Sequence, residues 1–195
     1  HLRGYLVLGT NGEFKSLNEA ERRRVLETVV RNAAKDKVVM AGTGRESTKE
    51  SIAATKEAAS IGTHFASLIA PSFFAKKMTD PVLLNHFRVV ADASSIPVLL
   101  YNNPEVAVVT YSTSLIGEIA KHSNIVGMKD TSKGNFASYL LAAGPDFNLL
   151  AGSSGFFFEA LVMGGVGGVL SIANFAPEAC CKVYDLWKAG KLEEA

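Results

Sequence analysis

Apolar residues along the chain follow two patterns in turn. Short continuous blocks recur at Tyr5–Gly9, Lys37–Gly42, Phe65–Ala70, Pro97–Tyr101, Ile125–Lys129, Phe147–Ala151 and Gly167–Ile172. Their lack of polar alternation predicts strands buried on both faces, as in a parallel sheet. Between them, apolar residues take helical spacing. Val25, Leu26, Val29, Val30 and Ala33 share one helix face, and Leu83, Leu84, Phe87 and Val90 share another.

Start signals precede these helices. Ser16-Leu-Asn-Glu19 and Ser47-Thr-Lys-Glu50 both have capping-box spacing, in which a hydroxyl and an acid three residues later satisfy free backbone N–H groups. Thr79-Asp80-Pro81 supplies a capping side chain and then proline. Ser112 is placed to cap the helix that carries Leu115, Ile116 and Ile119.

Strand then helix, repeated, predicts an α/β fold with a parallel sheet. The single-wound (β/α)8 TIM barrel and the doubly wound open sheet share this rhythm. Gly164-Gly-Val-Gly-Gly168 is the nearest approach to a dinucleotide-binding glycine motif. It precedes an apolar, strand-like block and not a helix, so it lacks the context that motif needs. The barrel is therefore the expectation. A closed barrel has eight strands and typically about 250 residues, whereas seven blocks fill this chain of 195. The expectation is one (β/α)8-barrel domain over residues 1–195, lacking its first strand and its C-terminal helices.

Composition narrows the function classes. A chain 48% hydrophobic is enough for one well-buried domain. Its formal charge of +1 is spread among interspersed acids and bases, so no basic face points to nucleic acid. The run Arg22 to Arg24 reads as the solvated side of a helix. No block approaches the ~18 consecutive apolar residues of a membrane span. Cys180 and Cys181 are adjacent, which suits neither an ordinary disulfide nor a C-x-x-C site. Buried thiols in a reducing compartment are expected, in the cytoplasm or, in a eukaryote, the mitochondrial matrix. His64, His86 and His122 show no metal-ligand spacing and read as surface or structural residues.

Candidate chemistry lies at the strand ends, where a barrel places its active site. Polar and glycine-rich segments fall there: Thr10-Asn-Gly-Glu13, Tyr101-Asn-Asn-Pro104, Lys129-Asp-Thr131, Gly152-Ser-Ser154 and Val169 to Asn174. Lys129 ends an otherwise apolar strand. At an ordinary pKa of ~10.4, about one lysine in two thousand is neutral at pH 7. Desolvation inside a barrel raises that fraction and supplies a nucleophilic amine. The same pattern also suits a lysine that snorkels to water. Tyr101 ends the preceding strand, either as a proton carrier beside the amine or as an aromatic packed across the barrel top. Thr10 and Asn11 lie in a glycine-bounded turn that can offer donors to a carboxylate.

Four segments together carry a resemblance. Gly9-Thr-Asn-Gly-Glu13, Tyr101-Asn-Asn-Pro104, Gly127-Met-Lys-Asp-Thr-Ser132 and Gly164-Gly-Val-Gly-Gly-Val-Leu-Ser-Ile-Ala-Asn174 resemble, in order, motifs of the dihydrodipicolinate synthase and N-acetylneuraminate lyase superfamily of class I, pyruvate-dependent aldolases. The resemblance runs over essentially the whole chain. It implies that Lys129 forms a Schiff base with a 2-oxo acid such as pyruvate and that Tyr101 moves protons. It also implies that Thr10 and Asn11 hold the carboxylate, while Gly152, Ser153 and the backbone near Val169 line the pocket. No metal or organic cofactor is implied, and a homotetramer is.

Two departures bear on the substrate. The synthases carry an arginine shortly after the Y-N-x-P proline, where this chain has Glu105-Val106-Ala107. Ala41-Gly-Thr-Gly-Arg-Glu-Ser-Thr48 and Ala151-Gly-Ser-Ser-Gly155 look more like 4-hydroxy-2-oxoglutarate aldolases, which favours cleavage of that compound to pyruvate and glyoxylate. The family often has a Tyr-Tyr pair that serves a neighbouring subunit's proton relay, where this chain has Phe73-Phe74. A synthase or sugar-acid aldolase or dehydratase is the second expectation, and a catalytically weakened homologue that binds 2-oxo acids is the third.

Overall fold

The computed structural model describes residues 2–132 and 134–195. Helices and parallel strands alternate: β1 (Gly4–Val7), α1 (Glu19–Asn32), β2 (Val38–Gly42), α2 (Thr48–Ile61), β3 (Phe65–Ile69), α3 (Asp80–Asp92) and β4 (Val98–Asn102). After these come α4 (Pro104–Ala107), α5 (Thr113–Ile119), β5 (Ile125–Asp130), α6 (Phe136–Ala143), β6 (Asn148–Ala151), α7 (Phe157–Met163), β7 (Gly167–Gly168) and α8 (Pro177–Lys188). The strands pair in sequential order from β1 to β7. A doubly wound sheet reverses its order at a switch point, and no reversal occurs here. Right-handed crossovers in unbroken order leave the helices on one face of a curled sheet.

Both faces of the sheet hold buried residues. Leu68, Leu100, Met128 and Leu149 align across β3 to β6 and are at most 1% exposed. They form the layer under the helices, each contributing about 1.5–3 kcal/mol by burial. On the other face Ile69, Leu99, Tyr101 and Lys129 are buried too, as expected of strands buried on both faces, and only towards the sheet edges are Leu6, Met40 and Leu150 half-buried. Helices cover one side, and the opposite side lines the concavity that holds the candidate site.

Local signals were partly displaced. The capping box of α1 is Asn18 with Glu21: Asn18 Oδ1 accepts from Glu21 N at 3.0 Å and Glu21 Oε2 accepts from Asn18 N at 2.8 Å. Ser16 lies instead in the 3₁₀ turn Phe14–Ser16. Ser47 and Ser112 cap α2 and α5 as their sequences indicate. Thr79 occupies the cap position of α3 without a side-chain bond. The last strand is two residues long, not the expected run from Gly167 to Ile172, because the chain turns into a 3₁₀ segment at Ser171–Asn174 after pairing with β6 at Gly167 and Gly168. Cys180 and Cys181 are half-buried on α8, not core thiols, because that helix packs as an outer layer with no fully buried residue.

Candidate active site

Alternation along β4 and β5 decides which side chains meet. Tyr101 and Lys129 are register partners, so they leave the sheet on the same, concave face. Both are buried, at 6% and 7% exposure. Lys129 Nζ lies 4.0 Å from the centroid of the Tyr101 ring, where an ammonium group is drawn to the negative face of the aromatic. Thr10 Oγ1 reaches the Tyr101 hydroxyl at 3.3 Å from the loop after β1, and Asn103 Nδ2 donates to that oxygen at 2.8 Å. Leu8, buried at the end of β1, takes a left-handed φ of 59° where that loop begins.

The next residue on each strand faces the other way. Asn102 and Asp130, also register partners, are fully buried on the helix side. Asn102 Nδ2 donates to Asp130 Oδ1 at 2.7 Å, and Ser132 closes the carboxylate with its N–H and hydroxyl at 3.1 and 2.9 Å. Burial pushes the Asp130 carboxyl up, while the Ser132 and Asn102 donors pull against it. The Tyr139 hydroxyl, pushed up to about 12 by burial and by Asp130, donates to the Tyr111 carbonyl at 2.6 Å. Tyr111 in turn donates to the Tyr101 carbonyl at 3.1 Å. Asp130 is therefore no counter-ion for its neighbour Lys129. It anchors a polar layer that fixes the backbone beneath the lysine and the tyrosine.

Further ties link the strand ends. Thr131 donates its N–H and hydroxyl to the Asn102 carbonyl at 3.0 and 2.8 Å, and Gly152 N donates to the Asp130 carbonyl at 2.7 Å. Gly152 has no room for a side chain: a Cβ there would lie 2.3 Å from Thr131 Cγ2 and 2.8 Å from the Asp130 oxygen.

The sequence candidates are thus distributed. Thr10, Tyr101 and Lys129 converge. Asn11 is exposed in the loop that carries Thr10. Ser153 Oγ accepts from Gly155 N at 3.3 Å and so shapes its own loop. Val169 N bonds to the Ala151 carbonyl at 2.8 Å, holding the chain beside β6. Asn102, Asn103 and Asp130 lie within the polar segments read at the strand ends but carry no role of their own there, and Tyr111 and Tyr139 lie outside those segments. Strand alternation was the available signal: Asn103 shares the face of Tyr101, whereas Asn102 and Asp130 share the opposite one.

A second polar cluster lies on the loops. Glu46 accepts from Ser72 N, Phe73 N, Ser72 Oγ and Lys15 Nζ at 2.8–3.0 Å. Burial pushes its carboxyl up, but the Phe73 N–H, Lys15 and Ser72 together hold it down at about 2. The loop so fixed presents Phe73 and Phe74 outward, at 79% and 64% exposure. A cavity of about 370 Å³ opens beside Glu46, Thr48, Met78 and His86, and neither Lys129 nor Tyr101 lines it. His86 pairs with Thr48 at 2.8 Å, His64 Nδ1 accepts from Val39 N at 3.1 Å, and His122 pairs with Asp92 at 3.0 Å. Among the described residues, no group of three or more histidines, cysteines and acids is placed to hold a metal, and no helix is long and apolar enough to cross a membrane.

The model of the dihydrodipicolinate synthetase family matches residues 2–195. The chain belongs to that family. It is 37% identical to a probable mitochondrial 4-hydroxy-2-oxoglutarate aldolase of Emericella nidulans, over 98% of this chain and 64% of that protein. It is also 37% identical to a 4-hydroxy-tetrahydrodipicolinate synthase of Acidiphilium cryptum, over 98% of this chain and 66% of the relative. Among solved structures, the chloride-inhibited dihydrodipicolinate synthase of Acinetobacter baumannii, complexed with pyruvate, superposes with a TM-score of 0.88 at 30% identity, covering 97% of this chain and 67% of that one. This family member thus spans about two thirds of the length of the relatives it matches.

Proposed function

We propose that the protein is a Schiff-base lyase of 2-oxo acids that cleaves 4-hydroxy-2-oxoglutarate to pyruvate and glyoxylate, with the seven strands acting as part of a (β/α)8 barrel. The single observation that carries this reading is the buried Lys129 amine 4.0 Å over the Tyr101 ring, on register-paired strand ends.

The chemistry follows from that pairing. Lys129 Nζ adds to the C2 carbonyl, and the adduct loses water as Tyr101 gives up its phenolic proton. The product is an iminium ion beside a phenolate. The phenolate takes the C4 hydroxyl proton and the C3–C4 bond breaks. Its electron pair flows into the iminium, which leaves glyoxylate and an enamine. The electron sink removes the need for a free carbanion. Tyr101 then returns the proton to C3, and water releases pyruvate and the amine. Thr10 and Asn11 hold the carboxylate, while Gly152, Ser153 and the Val169 backbone border the substrate. No cofactor enters these steps, and a homotetramer acting on a small-molecule substrate is part of the same reading.

A second reading is the synthase, since relatives of that name match equally well over this chain. The first turn of α4 argues against it. Glu105 and Val106 offer no cation to a second carboxylate. The test is to supply 4-hydroxy-2-oxoglutarate and follow pyruvate with lactate dehydrogenase and NADH. Pyruvate and glyoxylate in equal amounts are expected. A protein that captures pyruvate on Lys129 but releases none from this substrate would transfer the assignment to the synthase or to a binding homologue.

A further inference from the structure

Tyr101 Oη has two polar neighbours among the described residues. One, Thr10, lies at the looser distance of 3.3 Å; the other is the side-chain amide of Asn103 at 2.8 Å. Asn103 also occupies the N-cap position of α4, where asparagine is favoured because its side chain can accept a free helix N–H. It makes no such bond here. The first turn is closed by the Asn103 backbone carbonyl alone, which accepts from Val106 N at 3.2 Å and Ala107 N at 2.9 Å. The side chain is released from capping and spent on the phenol.

Two local features aim it. Asn103 stands two residues after Tyr101, so both leave the chain on the same face. Pro104 disfavours a helical conformation at the residue before it. Asn103 accordingly has φ −137° and ψ 84°, outside the helical region, in the one step between β4 and α4. Asn103 is 9% exposed and its bond to the buried phenol is made away from bulk water.

We propose that Asn103 is a positioning residue for Tyr101: its amide fixes the phenol oxygen and stabilises the phenolate that forms each time Tyr101 gives up its proton. This rests on the lyase reading above. An amide N–H directed at an oxygen favours the charged form over the neutral one. It also occupies one lone pair, leaving the phenolic proton directed towards Thr10 and the substrate. The amide touches no reacting atom and acts through Tyr101.

N103L removes the donor with little change in volume, and N103D keeps the shape while replacing the donating nitrogen with an oxygen. Each is compared with the wild type in two measurements: borohydride trapping of pyruvate on Lys129, and steady-state cleavage resolved into kcat and KM. In both variants kcat falls roughly tenfold to a hundredfold, the range for a hydrogen bond to a charged group. KM changes by less than about threefold, because the bond matters only once the phenol ionises. A wild type that traps pyruvate alongside variants with unchanged kcat, or with kcat and KM changed together, overturns the role of Asn103 and leaves the lyase intact. A wild type that traps no pyruvate overturns both. Should N103L fail to fold, N103D supplies the same comparison.

Discussion

Tyr101 and Lys129 face each other across one rung of the sheet, with the lysine nitrogen 4.0 Å from the centre of the tyrosine ring. This relationship is set by backbone pairing and not by loop placement. Their neighbours Asn102 and Asp130 pair on the reverse face, joined by a 2.7 Å hydrogen bond. Adjacent strands thus carry Tyr101 and Lys129 on one face and the anchor that holds their backbone on the other.

The phenol oxygen is separable from the ring. Y101F keeps an aromatic face against Nζ and removes the hydroxyl proposed to carry protons. We expect kcat to fall by about 10²–10⁴, the usual worth of a positioned acid–base group. Lys129 should still be labelled by pyruvate and borohydride, although more slowly. Stability should drop by about 1–3 kcal/mol, because the buried Asn103 amide loses its acceptor. Wild-type turnover in Y101F would remove Tyr101 from the chemistry.

Gly152 tests the close packing of the strand ends. In G152A the added methyl meets Thr131 and the Asp130 carbonyl well inside contact distance. Backbone must shift beside Lys129, at a cost of about 1–3 kcal/mol for overpacking. Urea denaturation should show that loss, and turnover should fall with it. A variant as stable and active as the wild type would mean that this junction is looser than its geometry indicates.

Glu46 gives a pH prediction with a definite sign. Its folded carboxyl is held at about 2 against an ordinary 4.5. A depressed folded pKa contributes stability that is fully present above 4.5 and is lost as pH falls towards 2. The stability difference between wild type and E46Q should therefore be constant above about pH 5 and shrink below it. Urea midpoints measured from pH 7 to pH 3 give the comparison. A difference independent of pH across that range would show that the charge on Glu46 does not hold the Ser72–Phe73 loop.

Much of this arrangement could be read from residue order. Continuous apolar blocks located six of the strands to within a residue or two, because a strand buried under helices must be apolar throughout. The last block failed beyond Gly168, where the chain leaves the ladder for the 3₁₀ turn at Ser171–Asn174. At the start of α1, two overlapping signatures competed. Asn18 with Glu21 prevailed over Ser16 with Glu19, since the 3₁₀ turn at Phe14 engages Ser16. The cysteines misled because sequence does not reveal which helix forms the outer layer. At the site, Lys129, Tyr101 and Thr10 stood out as polar residues at strand ends. Asn103, within the Tyr101-Asn-Asn-Pro104 segment, did not, because residue order does not say whether an asparagine amide caps the following helix or turns to the phenol.

The central claim is that Lys129 is the covalent centre. The most direct measurement is incubation with pyruvate and sodium borohydride, followed by peptide mapping. The account predicts a single reduced pyruvate adduct on Lys129, absent from K129M. No adduct in folded protein, or an adduct confined to exposed lysines such as Lys15, would contradict it.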